Sequence, residues 1–471
     1  MAKVTRSTKA CTVNPLRLSQ PLGGALAFLG IRGTMPVLHG SQGCTSFGLV
    51  LLVRHFREAI PLQTTAMSEV ATVLGGYENV EKAVLNIVNR TKPELIGICS
   101  TGVTDIKGDD LAGFLTTIRQ DHPELASTAL VAVSTPDFKD AFQDGWAKTV
   151  TALVENLVQP PAAGRRSSNK VVVLPGCHLT PGDLLELRDI IEGFGLEPMF
   201  LPDLSGSLDG HIPDQFTPTT IGGIGVDEIA ALGDARYVIA IGDQMRSAAV
   251  AFEMKTGVPY VLFDRLTGLA ASDALVEFLT RISGRPVPLR LRRQRGQLVD
   301  AMLDGHFHFG GQKIAIGAEP DLLFTLGSWV QEMGAQLTAA VTTNTSVQLE
   351  RLDIPEVLVG DLEDLETRAT DCDLLITSSY GRQAAERLKI PFFRVGLPMF
   401  DRLGAGHQVM VGYRGTRDLI FSVGNLLLAA TADTGVTPDT WRTEAPHPTL
   451  QPRESCHGAP QGLVTLSQGI P

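Results

Sequence analysis

Short apolar runs rich in β-branched residues recur along most of the chain and alternate with stretches of helical periodicity. The runs are apolar on both faces, which is typical of parallel strands covered by helices on both sides. They predict strands at residues 94–99, 130–133, 171–174, 237–242, 260–263, 313–317, 356–360, 373–377 and 392–395. The stretches between them predict helices at residues 109–121, 181–193, 248–256, 320–333 and 382–388. This alternation predicts an α/β fold with several open, mainly parallel sheets flanked by helices.

Breaks in this pattern predict three Rossmann-like domains and a tail. A linker rich in Pro, Gly, Ser and charge at residues 161–170 separates a first domain at 1–160 from a second at 171–305. A break near 305–312 begins a third domain at 306–432. Residues 433–471 are rich in Pro, Thr, Ser and Gly, so we expect a disordered or surface-draped tail. Ligands of open parallel sheets bind beyond the carboxyl ends of strands, so we expect functional residues in the loops that follow them.

Composition narrows the class of protein. Of 471 residues 44% are hydrophobic, so large cores can be buried. The formal net charge of −11 argues against nucleic acid or an anionic membrane as the main partner. No window approaches the roughly 20 apolar residues of a membrane span, and the N-terminus lacks the apolar core of a signal peptide. We therefore expect a soluble, cytoplasmic protein.

One thiol stands out because of its surroundings. Cys44 lies in the sequence His-Gly-Ser-Gln-Gly-Cys, between the apolar run 21–38 and the helical-looking stretch 47–58. Gly40 and Gly43 give the backbone a freedom that allows it to approach a metal centre closely. A cubane iron–sulfur cluster needs about four thiolates, so a ligand at Cys44 would require others from elsewhere. The six cysteines are scattered and form no CxxC pair, which leaves a zinc ribbon or thioredoxin-like site without support.

The other cysteines have simpler interpretations. Cys99 and Cys372 lie in or beside predicted strands, where a buried small hydrophobe is the expected role. Cys177 and His178 follow a strand and are candidates for metal binding or nucleophile–base chemistry. Adjacent residues usually point apart, however, and no Asp or Asn partner is evident. We therefore expect no catalytic role for this pair. Cys11 and Cys456 lie in segments that we expect to be mobile, which makes them poor candidates for cluster ligands.

Arginines and glycines converge at the ends of the last two predicted strands. Arg382 follows one strand, and Arg394 and Arg402 follow or end the next. Such loops can hold an anion or a cluster through guanidinium charge and backbone N–H groups. They can equally be packing loops with Arg–Asp pairs. No Walker A motif and no GxGxxG after the first strand occur, so nucleotide binding has little support.

Four blocks resemble the nitrogenase component 1 superfamily, and within it the β-type subunits. They are residues 20–26 (QPLGGAL), 35–44 (MPVLHGSQGC), 108–111 (GDDL), and 379–381 with 394–402 (SYG and RVGLPMFDR). The resemblance spans roughly residues 15–430, and the second and fourth blocks are the specific ones. It implies the nitrogenase component 1 fold of three Rossmann-like domains.

The departures from the catalytic β subunit matter more than the matches. That subunit contributes three cysteines to the eight-iron P-cluster, at positions that here hold Ser19, Cys44 and Gly102. Two of the three thiolates are missing, so the resemblance implies that a P-cluster cannot be built here. One thiolate plus three from a partner suits a [4Fe–4S] cubane.

The NifN family of scaffold subunits has this pattern, and the resemblance to it implies both cofactors and partners. NifN pairs with NifE as two E and two N chains, and they share a [4Fe–4S] cluster to which Cys44 would be this chain's ligand. The cofactor precursor arrives from NifB or its carrier and is held mainly by NifE while molybdenum and homocitrate are inserted. The nitrogenase iron protein (NifH) supplies ATP hydrolysis, and the product passes to apo-nitrogenase. Arg382, Arg394 and Arg402 would then line a vestigial cavity or a transit route.

Two alternatives remain open at this point. The chain can be a β-type subunit of a reductase, either nitrogenase or the dark protochlorophyllide reductase, which also uses an interface [4Fe–4S] cluster. Ser19 and Gly102 speak against nitrogenase. The second alternative is a structural partner in which Cys44 binds no metal.

Overall fold

The computed structural model describes residues 1–161 and 169–433, and its strands follow from the apolar runs of the sequence. The strands are β1 (Lys3–Arg6), β2 (Thr34–His39), β3 (Gln63–Thr64), β4 (Leu95–Ser100), β5 (Ala129–Val133), β6 (Lys170–Leu174), β7 (Glu197–Phe200), β8 (Tyr237–Ile241), β9 (Tyr260–Phe263), β10 (Lys313–Ala318), β11 (Gln336–Thr342), β12 (Glu356–Val359), β13 (Leu374–Thr377) and β14 (Phe392–Arg394). Residues 162–168 of the predicted linker and the predicted tail from 434 onward lie outside the described residues.

Helices separate most of these strands. They are α1 (Gln20–Leu29), α2 (Gln42–Phe56), α3 (Glu69–Leu74), α4 (Tyr77–Thr91), α5 (Gly102–Lys107), α6 (Leu111–Asp121), α7 (Phe142–Leu157), α8 (Pro181–Gly193), α9 (Val226–Ala230), α10 (Arg246–Thr256), α11 (Leu269–Ser283), α12 (Leu289–Phe309), α13 (Pro320–Glu332), α14 (Leu362–Arg368), α15 (Arg382–Leu388) and α16 (Gly412–Asp433). No helix among the described residues is long and apolar enough to cross a membrane.

The strands pair into three sheets, and every pairing between named strands is parallel. The orders are β3-β2-β4-β5, β7-β6-β8-β9 and β1-β12-β11-β10-β13-β14. The central strands β2, β4 and β13 are buried along their whole length, as expected where helices cover both faces of a parallel sheet. The predicted α/β class with three mainly parallel sheets is confirmed.

Each sheet has a point where the chain reverses the direction in which it adds strands. These points lie between β2 and β4, between β6 and β8, and between β10 and β13. Loops that leave the carboxyl ends of such neighbouring strands diverge and open a crevice for ligands. The turn that carries Cys44 follows β2 and the loop that carries Gly102 follows β4, and the two strands end level because His39 pairs with Ser100.

Several elements differ from the hydrophobic-pattern prediction. β1 leaves the N-terminal segment and pairs with β12 at the edge of the third sheet. The apolar run 21–38 contains both a helix, α1, and a strand, β2. α12 continues to Phe309 and so occupies much of the predicted break near 305–312. The domain bounds themselves stay a prediction, because residues 1–430 form one compact unit.

The core of the first sheet depends on close contact between α1 and α7. All residues of α1 are buried, and Phe28 and Trp146 are among the largest fully buried side chains. Gly23 lies against the backbone of Phe142, and Gly145 against the backbone of Gln20, so a methyl group at either glycine would overlap main-chain atoms. The two helices therefore pack backbone to backbone and set the position of the α1 N-terminus.

Candidate functional site

Cys44 lies in the first turn of α2, directly after the strand β2. The chain passes through Gly40, where a Cβ would lie only 2.8 Å from Oγ1 of Thr101, so the tight turn excludes a side chain there. Ser41 precedes the helix and its hydroxyl lies 3.6 Å from the Cys44 Sγ. The thiol is exposed. The turn thus presents a sulfur at a helix N-terminus, where the helix dipole favours a negative ligand atom.

A buried histidine holds this turn in place. The ring of His39 lies 2.9 Å from Oγ1 of Thr65 through Nδ1 and 3.2 Å from Oδ2 of Asp109 through Nε2. Burial lowers the pKa of His39, although the Asp109 carboxylate opposes that shift. The neutral ring can donate to Asp109 and accept from Thr65. The Thr101 hydroxyl donates to the His39 carbonyl at 2.9 Å, which links the Cys44 turn to the loop after β4.

Ser19 and Gly102 lie at two further helix N-termini near this turn. Ser19 precedes α1, and Gly102 is the first residue of α5. Asp137 links the α5 N-terminus to the segment before α1, because its Oδ2 accepts from the Gly102 N–H at 3.4 Å and its carbonyl accepts at 3.1 Å from Arg17, two residues before Ser19. Burial raises the pKa of Asp137. The structure therefore brings the three positions of the resemblance into one region, with only one thiol among them.

Exposed apolar side chains occur on α2, which carries the thiol, and on the adjoining helices α5 and α3. We use the term Cys44 face for Phe47 and Val50 on α2, Val103 and Ile106 on α5, and Val70, Val73 and Leu74 on α3. Phe47 is 82% exposed and Ile106 75%. Lys107 donates to the Ala71 carbonyl at 3.0 Å and so joins α5 to α3. Apolar residues gathered on one surface indicate a protein interaction site.

The arrangement of the metal-ligating side chains fits a cluster that is shared with another chain. Among the described residues, no group of three or more His, Cys, Asp or Glu side chains is arranged to hold a metal ion. Cys99 cannot supplement Cys44, since it is fully buried and burial raises its pKa to about 12. A cubane at Cys44 would need the remaining thiolates from another chain that covers the Cys44 face.

The structure does not bring the three predicted arginines into one site. Arg394 is bound to Asp401, with Nη2 2.8 Å from Oδ2, and its guanidinium carbon lies 4.3 Å from the Phe392 ring centre. Arg382 is half exposed and lies 3.7 Å from Glu386 one helical turn away. Arg402 is exposed and lines a cleft between loops. The alternative of a packing loop with an Arg–Asp pair describes Arg394.

The loop that contains Arg394 packs against the far end of α2. The Met399 N–H donates to Nδ1 of His55 at 2.9 Å, and Arg57 donates to the Phe400 carbonyl at 2.9 Å. The Arg54 guanidinium carbon lies 4.2 Å from the centre of the Phe400 ring. The two specific blocks of the sequence therefore touch the same helix, with Cys44 at its start and the third-sheet loop at its end.

Cys177 is half-buried and His178 is buried, and they do not form a nucleophile–base pair. Burial raises the pKa of Cys177 well above its ordinary value and lowers that of His178 to about 4. A protonated thiol beside a neutral, poorly basic ring lacks the activated thiolate that nucleophilic catalysis requires. The pair is part of the interior at the carboxyl end of β6.

Sequence reasoning missed two carboxyl groups that follow β10, the half-buried Glu319 and the buried Asp321. Burial raises the pKa of Glu319 to about 8 and that of Asp321 to about 7. Glu319 accepts from the Thr343 hydroxyl at 2.8 Å, and Asp321 accepts from the backbone and side chain of Gln244. Their position directly after a strand was the sequence feature that could have identified them as candidate functional residues. Their burial was not visible, because it depends on loops from all three sheets.

Comparison with known proteins agrees with this geometry. Residues 19–428 match the family model of nitrogenase component 1 type oxidoreductases. The chain is 64% identical over 468 residues to the nitrogenase iron-molybdenum cofactor biosynthesis protein NifN of Bradyrhizobium diazoefficiens, covering 98% of this chain and 100% of that protein. It is 53% identical to NifN of Mesorhizobium japonicum, with 91% and 94% covered. It is 48% identical to NifN of a Nostoc strain, with 91% and 96% covered.

Solved structures show the same architecture. A chain of nitrogenase Cp1 at pH 6.5 superposes with a TM-score of 0.86 at 28% identity, covering 92% of this chain and 97% of that one. A chain of nitrogenase Cp1 at pH 5 gives a TM-score of 0.69 at 13% identity, with 93% of both chains covered, which shows the fold alone.

Proposed function

This chain belongs to the nitrogenase component 1 type oxidoreductase family and groups with its NifN proteins, and on that premise we propose how its one exposed helix-terminal thiol serves cofactor assembly. The chain is a β-like subunit that acts in iron–molybdenum cofactor biosynthesis for nitrogen fixation. The NifN assignment favours this role over a nitrogenase or protochlorophyllide reductase β subunit.

The proposed partner is NifE, in a complex of two E and two N chains. The Cys44 face supports this pairing, because a surface that exposes Phe47 and Ile106 so fully needs a partner to bury it. The concentration of apolar residues around a single ligand thiol is what a shared metal site at a subunit interface requires.

Cys44 is the proposed ligand of a [4Fe–4S] cluster whose other three thiolates come from NifE. The single observation that carries this proposal is the exposed thiol on a rigid turn, with no second ligand among the described residues. When bound, such a cluster supplies a one-electron redox centre. This chain's own contribution is to hold one sulfur in a fixed direction, through the hydrogen bonds of His39 and Thr101.

The remainder of the proposed cycle follows the family. The precursor from NifB is held mainly by NifE while molybdenum and homocitrate are inserted, with ATP hydrolysis on the iron protein. The product then passes to apo-nitrogenase. The proposal that Arg382, Arg394 and Arg402 line a cavity or transit route is supported for two of them, because Arg394 and Arg402 both line a cleft of about 420 Å³. Asp401 neutralises Arg394, so Arg402 is the unpaired charge there.

Assembly with NifE gives the direct test of the docking surface. Phe47→Asp places a charge in the Cys44 face and should abolish co-purification of a tagged NifE and formation of the heterotetramer, measured by light scattering after size exclusion. Met254→Asp is the matched control, because Met254 is 83% exposed but lies on α10, away from this face. Normal heterotetramer formation by Phe47→Asp would refute the proposed docking surface.

Activity provides the second test. A complex of wild-type chain and NifE should activate apo-nitrogenase in a maturation mixture with NifB product, molybdate, homocitrate, iron protein and ATP. A complex that assembles yet supports no activation would contradict the proposed role in maturation.

A further inference from the structure

A cleft of about 820 Å³ opens where loops that follow all three sheets meet, at the end of α2 remote from Cys44. Its walls come from residues 55–63 after α2, residues 207–221 after β7, and residues 402–407 after β14. A volume of this size lies within the range typical of small-molecule sites. Its position between three loop systems is also where ligand sites of α/β proteins concentrate.

One part of the cleft wall is apolar and preformed. It consists of buried side chains from the first sheet and its helices: Leu29, Met35, Phe56, Ile60 and Leu62. These residues belong to the packed core or its edge, so the wall is held in place by the fold. A ligand with a hydrocarbon portion would bury that portion here.

Two guanidinium groups border the cleft without a carboxylate partner. Among the described residues, neither Arg57 nor Arg402 forms an ion pair, and the polar contact of Arg57 is with the Phe400 carbonyl. Nearby arginines such as Arg394 are paired and so neutralised. Unpaired guanidinium groups at a concave surface favour carboxylate or other oxyanion ligands, which they bind in a bidentate manner.

His55 adds a fixed hydrogen-bond donor. The ring is about nine-tenths buried, and its Nδ1 accepts the Met399 N–H at 2.9 Å, so the ring proton lies on Nε2. Burial and, next, the charge of Arg57 lower the pKa of His55 to about 4, which keeps the ring neutral. Nε2 has no acceptor within the part of the chain that the structure describes, although His55 lines the cleft. This N–H is therefore available to an acceptor atom of a ligand in the cleft.

Two acidic residues lie at or beside the cleft, and Oε2 of one of them, Glu58, is buried without a hydrogen-bond partner. The Glu58 pKa is raised by burial and opposed by the backbone N–H groups of Glu58 and Gly210. Asp209 is paired with the ring of His211. His407 packs directly over Gly210, whose Cβ would lie 3.0 Å from Nε2 of that ring. Among the unpaired groups of the cleft, the two guanidinium groups and the His55 N–H thus outnumber one carboxyl oxygen, Oε2 of Glu58.

We propose that this cleft binds a small organic polycarboxylate, with its carboxylates on Arg402 and Arg57, one oxygen on Nε2 of His55, and its carbon skeleton on the apolar wall. An inorganic oxyanion would satisfy the arginines but would leave the apolar wall uncovered. The organic acid of the maturation step belongs to this class, but the chemistry of the cleft carries the assignment independently of the cluster at Cys44. Failure of the polycarboxylate proposal is thus distinguishable from failure of the proposed cluster at Cys44.

Calorimetry on the full-length chain, as purified with its partner subunits, tests this proposal. Citrate, tricarballylate and succinate are titrated separately at concentrations up to the millimolar range. We expect saturable binding of at least one of them, and we expect Arg402→Gln and Arg57→Gln each to weaken it by about tenfold or more. The control Arg382→Gln, which removes an exposed arginine outside the cleft, should leave the Kd unchanged.

Competition with sulfate separates a built site from non-specific charge. Sulfate should displace the bound polycarboxylate only weakly, because it makes no contact with the apolar wall. Three results would overturn the proposal: no binding of any of the three acids, equal weakening by Arg382→Gln, or displacement by sulfate as readily as by unlabelled citrate. Unchanged thermal unfolding of the variants shows that losses of binding are not losses of fold.

Discussion

Arg382, Arg394 and Arg402 have the same charge and lie at or after the ends of the neighbouring strands β13 and β14. Their surroundings nevertheless give them different roles. The side chains of Arg394 and Asp401 are each 13% exposed and are joined by three nitrogen–oxygen contacts. Burial alone would raise the pKa of Asp401, but the hydrogen bonds from Arg394 and Ser379 hold it below its ordinary value. Arg394 therefore has a structural role and Arg382 is solvated. Arg402 is the arginine of the three that is available to bind a ligand.

Removing Arg394 should destabilise the protein. Arg394→Ala leaves the Asp401 carboxylate buried without its partner, which we expect to cost about 3 kcal/mol in urea-induced unfolding. Arg382→Ala is the matched control, because its half-exposed pair with Glu386 should contribute less than about 1 kcal/mol. Equal losses for the two variants would mean that the Arg394–Asp401 pair has no special structural weight.

Stability should also depend on pH through Glu319 and Asp321. Their pKa values in the folded state, about 8 and about 7, lie above the ordinary values of about 4 for these carboxyl groups in an unfolded chain. The folded state thus holds more protons, so the stability they contribute is fully present below about pH 4 and is lost as pH rises toward 8. Glu319→Gln mimics the protonated form and should reduce the loss of unfolding free energy between pH 5 and 8. An unaltered pH dependence in this variant would contradict the assignment.

At the residue scale the sequence could predict Cys44 but not the rest of its site. The glycine-flanked turn and the four matching blocks pointed to this thiol, and the structure leaves it exposed. The hydrogen bonds of His39 to Thr65 and Asp109 join residues 26 and 70 positions apart. Such contacts depend on strand order, which an apolar pattern does not contain. The contact between Asp137 and Gly102 also depends on strand order, so the sequence did not predict it.

At the scale of elements, the strands made of uniformly apolar residues could be predicted from the sequence. The buried strands β4, β8 and β13 appear within one or two residues of their predicted positions. β1 was not predictable, because three of its four residues are polar and they acquire their strand conformation by pairing with β12, far along the chain. The run 21–38 was ambiguous, since α1 is buried on all sides and shows no amphipathic periodicity.

The crossing of α1 and α7 gives a prediction at this scale. Gly145→Ala forces a methyl group into the Gln20 carbonyl, so the helices must separate, and we expect a loss of about 2–3 kcal/mol in unfolding free energy. Gly296→Ala in α12 meets no atom within 4 Å and should raise stability by up to about 1 kcal/mol through helix propensity. Chemical denaturation of both variants measures the difference. A neutral effect of Gly145→Ala would show that α1 and α7 can move apart freely.

At the scale of the whole molecule, α2 connects the two functional regions. Its N-terminus presents Cys44 at an apolar surface, and its C-terminus contributes His55 and Arg57 to the cleft. Each region lies beyond the carboxyl ends of parallel strands, as the topology favours. The fold could be predicted because three repeats of one β–α pattern specify it. The cleft could not, because its walls come from segments separated by up to about 350 residues in the chain.

The measurement that tests the central claim most directly is the metal content of the complex with and without the Cys44 thiol. The chain is co-expressed anaerobically with NifE, in the absence of NifB so that no precursor adds to the count. Iron, acid-labile sulfide and the EPR spectrum are determined for wild type, Cys44→Ala and the control Cys11→Ala, which removes another exposed thiol. We predict about four irons per heterodimer in wild type and Cys11→Ala, and a depleted or altered cubane signal in Cys44→Ala alone. Identical iron content and spectra in all three proteins would contradict the account.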